Sequence, residues 1–126
     1  MPFIHVRSLP FEQPLDVQAV IEGLSQDFAG STGIALQHVT ATWTFFAPGH
    51  YAVAGLAASH QPRQSHPLLV DLLVPDLNSA DDVRRMLIAV ASSLAQRTRL
   101  PRENIFINCR AARSGRVFDE GRIARW

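Results

Sequence analysis

Lysine is absent from this sequence of 126 residues, and all of its basic residues are arginines. This absence excludes Schiff-base chemistry on a lysine and the lysine of a phosphate-binding loop, so any anion would be recognised by arginine, histidine or backbone N–H groups. Cysteine occurs once, at Cys109, which excludes an internal disulfide and is typical of a reducing compartment. We therefore expect a cytoplasmic protein.

Long hydrophobic runs are also missing. The longest uncharged apolar stretches, such as AVAGLAA, are too short to cross a bilayer, and the N-terminus lacks the basic and apolar regions of a signal peptide. The apolar content of 47% is enough for one compact core. We expect a single domain over residues 1–126 without a membrane partner.

Charge is unevenly distributed along the chain. Residues 97–126 carry eight arginines and three acidic residues, whereas the preceding residues carry four arginines and eight acidic ones. Such asymmetry can mark a surface for nucleic acid or an anionic ligand. We favour a solvated or subunit-facing surface over a nucleic-acid partner.

Hydrophobic periodicity predicts a first β-α-β unit. Residues 3–9 alternate as a strand, Pro14 to Phe28 has helical period, and HVTATWTFF is a β-branched and aromatic strand. Pro14 is expected in the first helical turn, and the glycines of AGSTG are expected to end the helix. A connector rich in Gly, Pro, His and Ser follows from Ala47 to Pro67, in which YAVAGLA could add a strand.

A second unit repeats the arrangement. PLLVDLLV is a nearly continuous apolar strand, Ser79 is the expected N-cap of a helix that Pro101 ends, and NIFINCR is the closing strand. The last residues, SGRVFDEGRIARW, predict a short hairpin with bends at Gly115 and Gly121.

The two units predict an α+β fold. Pseudo-repeats at roughly 2–46 and 67–110 would form a four-stranded mixed sheet, with both helices on one face because βαβ crossovers are right-handed. Alternation directs one set of side chains toward the helices: Ile4, Val6, Val39, Ala41, Trp43, Phe45, Ile105, Ile107 and Cys109. The opposite face would carry His5, Arg7, Thr40, Thr42, Thr44, Asp71, Phe106, Asn108 and Arg110, a mixture that predicts an oligomer packed around a partly hydrated centre.

These features together resemble the tautomerase superfamily: a proline directly after Met1 at the head of a strand, two β-α-β units and a C-terminal hairpin. The length is similar to the macrophage migration inhibitory factor and carboxymethyl-hydroxymuconate isomerase branches. LPRENIFIN is similar to the former family's proline followed by a strand ending in aromatic-Ile-Asn. Ser31-Thr32-Gly33 before Gln37-His38-Val39 is a second, shorter similarity.

The resemblance implies a homotrimer in which Met1 is removed and the Pro2 amine is the catalytic base. An α-amino group titrates near about 7.7–8.0, and an apolar pocket or a nearby arginine lowers its pKa, so that Pro2 could move a proton between carbon and oxygen. With Met1 retained, the Pro2 nitrogen is an amide and cannot act. The expected function is therefore that of a tautomerase acting on a small carboxylated keto-enol substrate.

The resemblance also suggests substrate-binding residues, with departures from the family pattern. Asn108 matches a pocket asparagine, Phe106 stands in place of a tyrosine, Ile34 in place of a lysine, and His38 near another tyrosine. Anion binding would fall to Arg7, Arg110 or Arg113, each of which could instead be an interface or solvated residue. Asp71 could pair with one of them, or activate water as in dehalogenase and decarboxylase relatives.

Alternative interpretations remain open. One is a Pro2-dependent decarboxylase, hydratase or dehalogenase, and another is a protein that keeps the fold and has lost the chemistry, serving as a binding module. We expect no cofactor, because no nucleotide loop is present, and no metal, because His50, His60 and His66 lack the spacing of a metal motif. Cys109 is expected to pack inward. The absence of lysine and the abundance of alanine favour a bacterial source and a catabolic role.

Overall fold

The computed structural model describes residues 1–126 and contains eight strands and two α-helices. The strands are β1 (Phe3–Ser8), β2 (Thr40–Phe45), β3 (Ala52–Val53), β4 (Leu56–Ala57), β5 (Leu68–Pro75), β6 (Ile105–Ala112), β7 (Val117–Asp119) and β8 (Arg122–Ala124). The helices are α1 (Val17–Thr32) and α2 (Ala80–Thr98), and each is followed by a one-turn 3-10 helix, Leu36–His38 or Arg102–Asn104.

Four strands form a mixed sheet in the order β2-β1-β5-β6. β1 and β2 are parallel, β5 and β6 are parallel, and the two units meet through antiparallel pairing of β1 with β5. Side chains from α1 and α2 join those of the four strands in one buried cluster, which places both helices on the same face. The predicted α+β fold with two β-α-β units is confirmed.

The first helix differs from its predicted limits. Asp16 is its N-cap and accepts a hydrogen bond from the Ala19 N–H at 3.1 Å, so Pro14 lies outside the helix rather than in its first turn. The helix also continues through Gly30 and ends at Thr32, because Gly33 supplies the left-handed conformation of the C-cap at φ 77°. Glycine content alone predicted an earlier end.

The second helix begins where the sequence predicts. Ser79 accepts a hydrogen bond from the Asp82 N–H, and the Asp82 carboxylate accepts one from the Ser79 N–H, which makes a capping box. Arg99, in the left-handed conformation, is the C-cap. The buried residues of α2 are Met86, Ala89, Val90, Ser93, Leu94 and Thr98.

The core lies between the sheet and the helices, and most of the predicted alternation is confirmed. Ile4 and Val6 are fully buried, and Val39, Ala41, Trp43, Ile105, Ile107 and Cys109 pack against the core with partial burial. Phe45 was expected there but is 44% exposed. It lies at the end of edge strand β2, where its ring leans on Trp43 with centroids 6.2 Å apart and no helix covers it.

The β1–β5 register is symmetric about the pair His5–Asp71, because the flanking pairs Phe3–Leu73 and Arg7–Leu69 exchange under a twofold rotation. The helix ends repeat in the same way. Gly33 and Arg99 both adopt left-handed C-caps, and the 3-10 helices that follow start at the same distance from them. This pseudo-twofold axis makes His38 and Asn104 equivalent.

The connector and the C-terminus each form a hairpin. β3 and β4 pair around Ala54 and Gly55, both at positive φ, so YAVAGLA contributes two short strands rather than one. β7 and β8 pair around Glu120 and Gly121, also at positive φ, as expected for the terminal hairpin. Neither α-helix has the length and apolar content needed to span a membrane.

Candidate functional site

A pocket of about 170 Å³ surrounds Pro2 at one end of the sheet. It is lined by nine residues from the head of β1, the segment after α1, the end of β5 and the first turns of α2: Met1, Pro2, Ile34, His38, Val74, Pro75, Leu77, Asn78 and Met86. Most of these side chains are apolar. An amine at this position would lie in surroundings that disfavour its charged form.

Pro2 is held rigidly at the edge of this pocket. Its ring is among the fully buried side chains, and its carbonyl accepts a hydrogen bond from the Thr40 N–H at 3.1 Å. That bond ties the head of β1 to the start of β2. Proline is tolerated here because it lies before the first residue of the strand and so interrupts no ladder bond.

The polar groups of the pocket are few. His38 ends the 3-10 helix Leu36–His38 and is exposed toward the pocket and solvent. Asn78 is half-buried, and its side-chain N–H donates to the Pro75 carbonyl at 2.8 Å. Ile34 lines the wall where the family resemblance placed a lysine. No arginine lines the pocket of a single chain.

At the pseudo-equivalent end of the molecule, at the head of β5, the connector is hydrogen-bonded to the framework. Asn104, the counterpart of His38, is buried, and its side-chain N–H groups donate to the carbonyls of Pro62 and His66, both at 3.1 Å. Gln61, also buried, accepts from the Leu9 N–H at 3.2 Å. The connector therefore occupies the space beside the Asn104 amide, and a separate depression of about 460 Å³ is lined by connector residues 63–65 and by Asn104.

The sheet face that the helices leave uncovered carries an ion-pair cluster. Arg7 donates to Asp71 at 3.0 Å, and Arg110 approaches the other oxygen of the same carboxylate at 3.9 Å. The Arg7 Nε atom is buried and has no hydrogen-bond partner. His5 lies beside them and bonds Thr44 at 3.0 Å. Asp71 therefore pairs with two arginines.

The remaining predicted site residues are also separate from Pro2 within one chain. Phe106 and Asn108 are exposed on the open face of β6, and Phe106 is 57% exposed. Arg113 follows β6 and lines a separate depression with Leu73, Ala112 and Arg116. Of the residues predicted to bind substrate, the structure brings only His38 to Pro2.

Cys109 and the connector histidines lie outside the pocket. Cys109 packs against the core, and burial raises the pKa of its thiol, which lowers its reactivity. His66 is buried, with its ring nitrogens hydrogen-bonded to Ser65 and to the Leu56 carbonyl, whereas His50 and His60 are exposed. No three His, Cys, Asp or Glu side chains are grouped to hold a metal ion.

No family model and no curated protein sequence matches the chain. Solved structures do match it over nearly the whole length. A fused 4-OT, described as a symmetric trimer, superposes with a TM-score of 0.82 at 15% identity, covering 98% of this chain and 95% of its own. The chain has the fold of the tautomerase superfamily.

Two further structures with the tautomerase fold are named for other reactions. N1, described as a member of the cis-3-chloroacrylic acid dehalogenase family, has a TM-score of 0.78 at 15% identity, covering 98% of this chain and 83% of its own. A malonate semialdehyde decarboxylase has a TM-score of 0.71 at 13% identity, covering 97% and 94%. At such identities the likeness establishes the fold and leaves the reaction open.

Several lining residues of the pocket are not predicted by the sequence. Val74, Leu77, Asn78 and Met86 come from the end of β5 and the start of α2, far from Pro2 along the chain. The antiparallel pairing of β1 with β5 brings them together, since it places the end of β5 beside the head of β1. Of the Asn78-Ser79 pair before α2, only Ser79 has a predicted role, as the N-cap, and no signal in the sequence relates Asn78 to Pro2.

Proposed function

We propose that the chain is a tautomerase in which Pro2, freed by removal of Met1, transfers a proton between carbon and oxygen of a small carbonyl substrate. The observation that carries this proposal is the position of Pro2, buried in the lining of a mostly apolar pocket at the head of β1. The malonate semialdehyde decarboxylase structures include a mutant whose first residue, a proline, is replaced by alanine, which supports a functional proline at this end of the fold.

Removal of Met1 would do two things at once. It would turn the Pro2 amide into a secondary amine, and it would enlarge the pocket, because the Met1 side chain is part of the lining. The apolar walls would lower the pKa of that amine, leaving it neutral and able to accept a proton near neutral pH. A group with a pKa near the working pH can serve as both base and acid.

A carboxylated substrate would need a cation that the pocket of one chain lacks. We propose that the cation is an arginine of a second copy, with Arg110 and Arg113 as candidates because both are exposed. Phe3 and Phe106, at 42% and 57% exposure, lie on the uncovered sheet face and give a second copy an apolar surface to cover. The trimeric description of the fused 4-OT supports a homotrimer here.

Decarboxylation, hydration or dehalogenation is the second candidate, since relatives in fold carry such names. Activating water would require a base beyond Pro2. Asp71 was one of the two alternatives for this role, but its carboxylate pairs with Arg7 and Arg110, as the other alternative had it, and is not part of the Pro2 pocket. Proton transfer by one group therefore fits the pocket better than addition of water.

The test combines intact mass with one assay. The purified protein should lack Met1 and should accelerate the interconversion of phenylpyruvate tautomers. Pro2→Ala should lower kcat/KM by about 10²–10⁴-fold, the usual contribution of a general acid-base group. Pro14→Ala is the matched control, because Pro14 is exposed and outside the pocket, and it should keep full activity.

A processed protein with no activity would contradict the tautomerase and favour a binding module. Activity that survives Pro2→Ala unchanged would exclude Pro2 as the acid-base group.

A further inference from the structure

The pseudo-twofold axis provides an internal comparison for the open pocket. At the head of β5 the equivalent space is filled by residues of the connector, so that end shows which contacts the framework makes when it is occupied. The end at Pro2 has the same backbone framework, and the space there is a pocket with Met1 in its lining. The groups that are bound at the head of β5 therefore indicate which groups can bind in the pocket at Pro2.

Asn104 and His38 are equivalent in backbone as well as in position. Each is the last residue of a one-turn 3-10 helix, and each donates its own N–H to the residue three positions earlier at 2.9 Å. The N–H of the next residue, Val39 or Ile105, in turn bonds the first carbonyl of that turn. Their Cα–Cβ bonds therefore point into equivalent spaces.

Asn104 uses its side chain to donate hydrogen bonds to carbonyl oxygens. The acceptors are the carbonyls of Pro62 and His66, both at 3.1 Å, and His66 lies just before the head of β5. The corresponding place in the first unit lies beyond the Pro2 nitrogen. Once Met1 is removed, a substrate would occupy this place, with its carbonyl oxygen facing His38.

We propose that His38 is a second catalytic residue, which donates a hydrogen bond from a ring N–H to the carbonyl oxygen of the substrate while Pro2 transfers the proton. This inference rests on the proposed function, because it names the residue that binds the carbonyl oxygen in that same reaction. It also narrows the substrate class to compounds with a carbonyl whose neighbouring carbon bears a transferable proton.

The reaction balances with these two groups. The Pro2 nitrogen takes the proton from the carbon next to the carbonyl, the electron pair of that C–H bond forms the C=C bond, and the C=O pair moves to oxygen. The His38 N–H stabilises the resulting enolate oxygen, as a donor in an oxyanion hole does. The Pro2 ammonium then returns the proton to oxygen, and the reverse sequence gives the ketone. Neither oxidant nor cofactor is required.

The experiment compares His38→Leu with His38→Asn in the processed, full-length protein. Loss of one oxyanion donor typically costs about 10²–10³ in kcat, so His38→Leu should fall by about that factor in phenylpyruvate tautomerisation. His38→Asn gives position 38 the same side chain as its pseudo-equivalent, Asn104. This variant again supplies an N–H donor, so its kcat should be within about tenfold of wild type. His50→Leu, an exposed histidine in the connector, is the matched control and should leave kcat unchanged.

A binding measurement separates this inference from the tautomerase itself. Phenylpyruvate should shift the His38 ring resonances in NMR spectra of both wild type and Pro2→Ala. Full activity of His38→Leu would overturn the role of His38 and leave that of Pro2 intact. An inactive wild type whose His38 resonances still shift would overturn the tautomerase and retain His38 as the carbonyl donor. Absence of any shift would overturn the inference.

Discussion

Gly23 in α1 gives a stability test that follows directly from the packing of the two helices. Arg97 of α2 crosses over it to reach Asp27, donating to the two carboxylate oxygens at 2.9 and 3.2 Å, while Ser93 donates to the same carboxylate at 2.7 Å. A Cβ on Gly23 would overlap the Arg97 guanidinium group. Gly23→Ala therefore forces Arg97 to move away from Asp27.

Two effects of similar size oppose each other in this variant. Alanine gains about 0.5–1 kcal/mol over glycine inside a helix. The Arg97–Asp27 pair is about one-third exposed at both side chains, so its loss costs only about 0.2–1 kcal/mol. We expect Gly23→Ala to change the free energy of unfolding by less than about 0.5 kcal/mol, in contrast to the usual gain.

A double-mutant cycle with Arg97→Ala measures the coupling between the new methyl group at position 23 and the Arg97 side chain. Without the guanidinium nothing opposes the new methyl group, so Gly23→Ala should stabilise the Arg97→Ala protein by about 0.5–1 kcal/mol. Urea unfolding monitored by circular dichroism of the four proteins gives the coupling free energy. Equal stabilisation by Gly23→Ala in both backgrounds would refute the proposed close approach of Arg97 to α1.

Two further predictions concern pH and the connector. The hydrogen bond from Arg97 lowers the pKa of Asp27 below the ordinary aspartate value of 3.8, so the stability that this pair contributes is present above that value and is lost as the pH falls through the lower, folded-state pKa. The free energies of unfolding of wild type and Asp27→Asn, measured as a function of pH, should therefore converge only below about pH 4. A difference between them that stays constant down to about pH 2 would contradict this linkage. Asn104→Ala removes the donor to two connector carbonyls and should lower the free energy of unfolding by about 1–3 kcal/mol, whereas the exposed Gln64→Ala should change it little. Faster amide exchange around His66 in Asn104→Ala would locate the loss in the connector, and equal stabilities of these two variants would argue against the buried contact.

Local sequence patterns were sufficient to predict the architecture. Alternation along Phe3–Ser8, the apolar run of β5 and the helical stripe through Leu24 and Phe28 each depend on neighbouring residues, and periodicity records which face of an element is buried. The N-cap at Ser79 and the bend at Gly121 were predicted for the same reason, since capping and turn formation are local. The extension of α1 to Thr32 was missed because one C-terminal glycine, Gly33, outweighs the internal Gly30.

The sequence by itself determined the two β-α-β units, their shared fold and the place of Pro2 at the head of a strand. Tertiary structure alone decided how the two ends of the pseudo-symmetric framework differ, because the connector is hydrogen-bonded to Asn104 at one end, whereas the other end has the Pro2 pocket beside His38. It also decided that Asp71 is held between Arg7 and Arg110. Such contacts join residues far apart in the chain, and their geometry depends on strand register and helix packing, which no local pattern encodes.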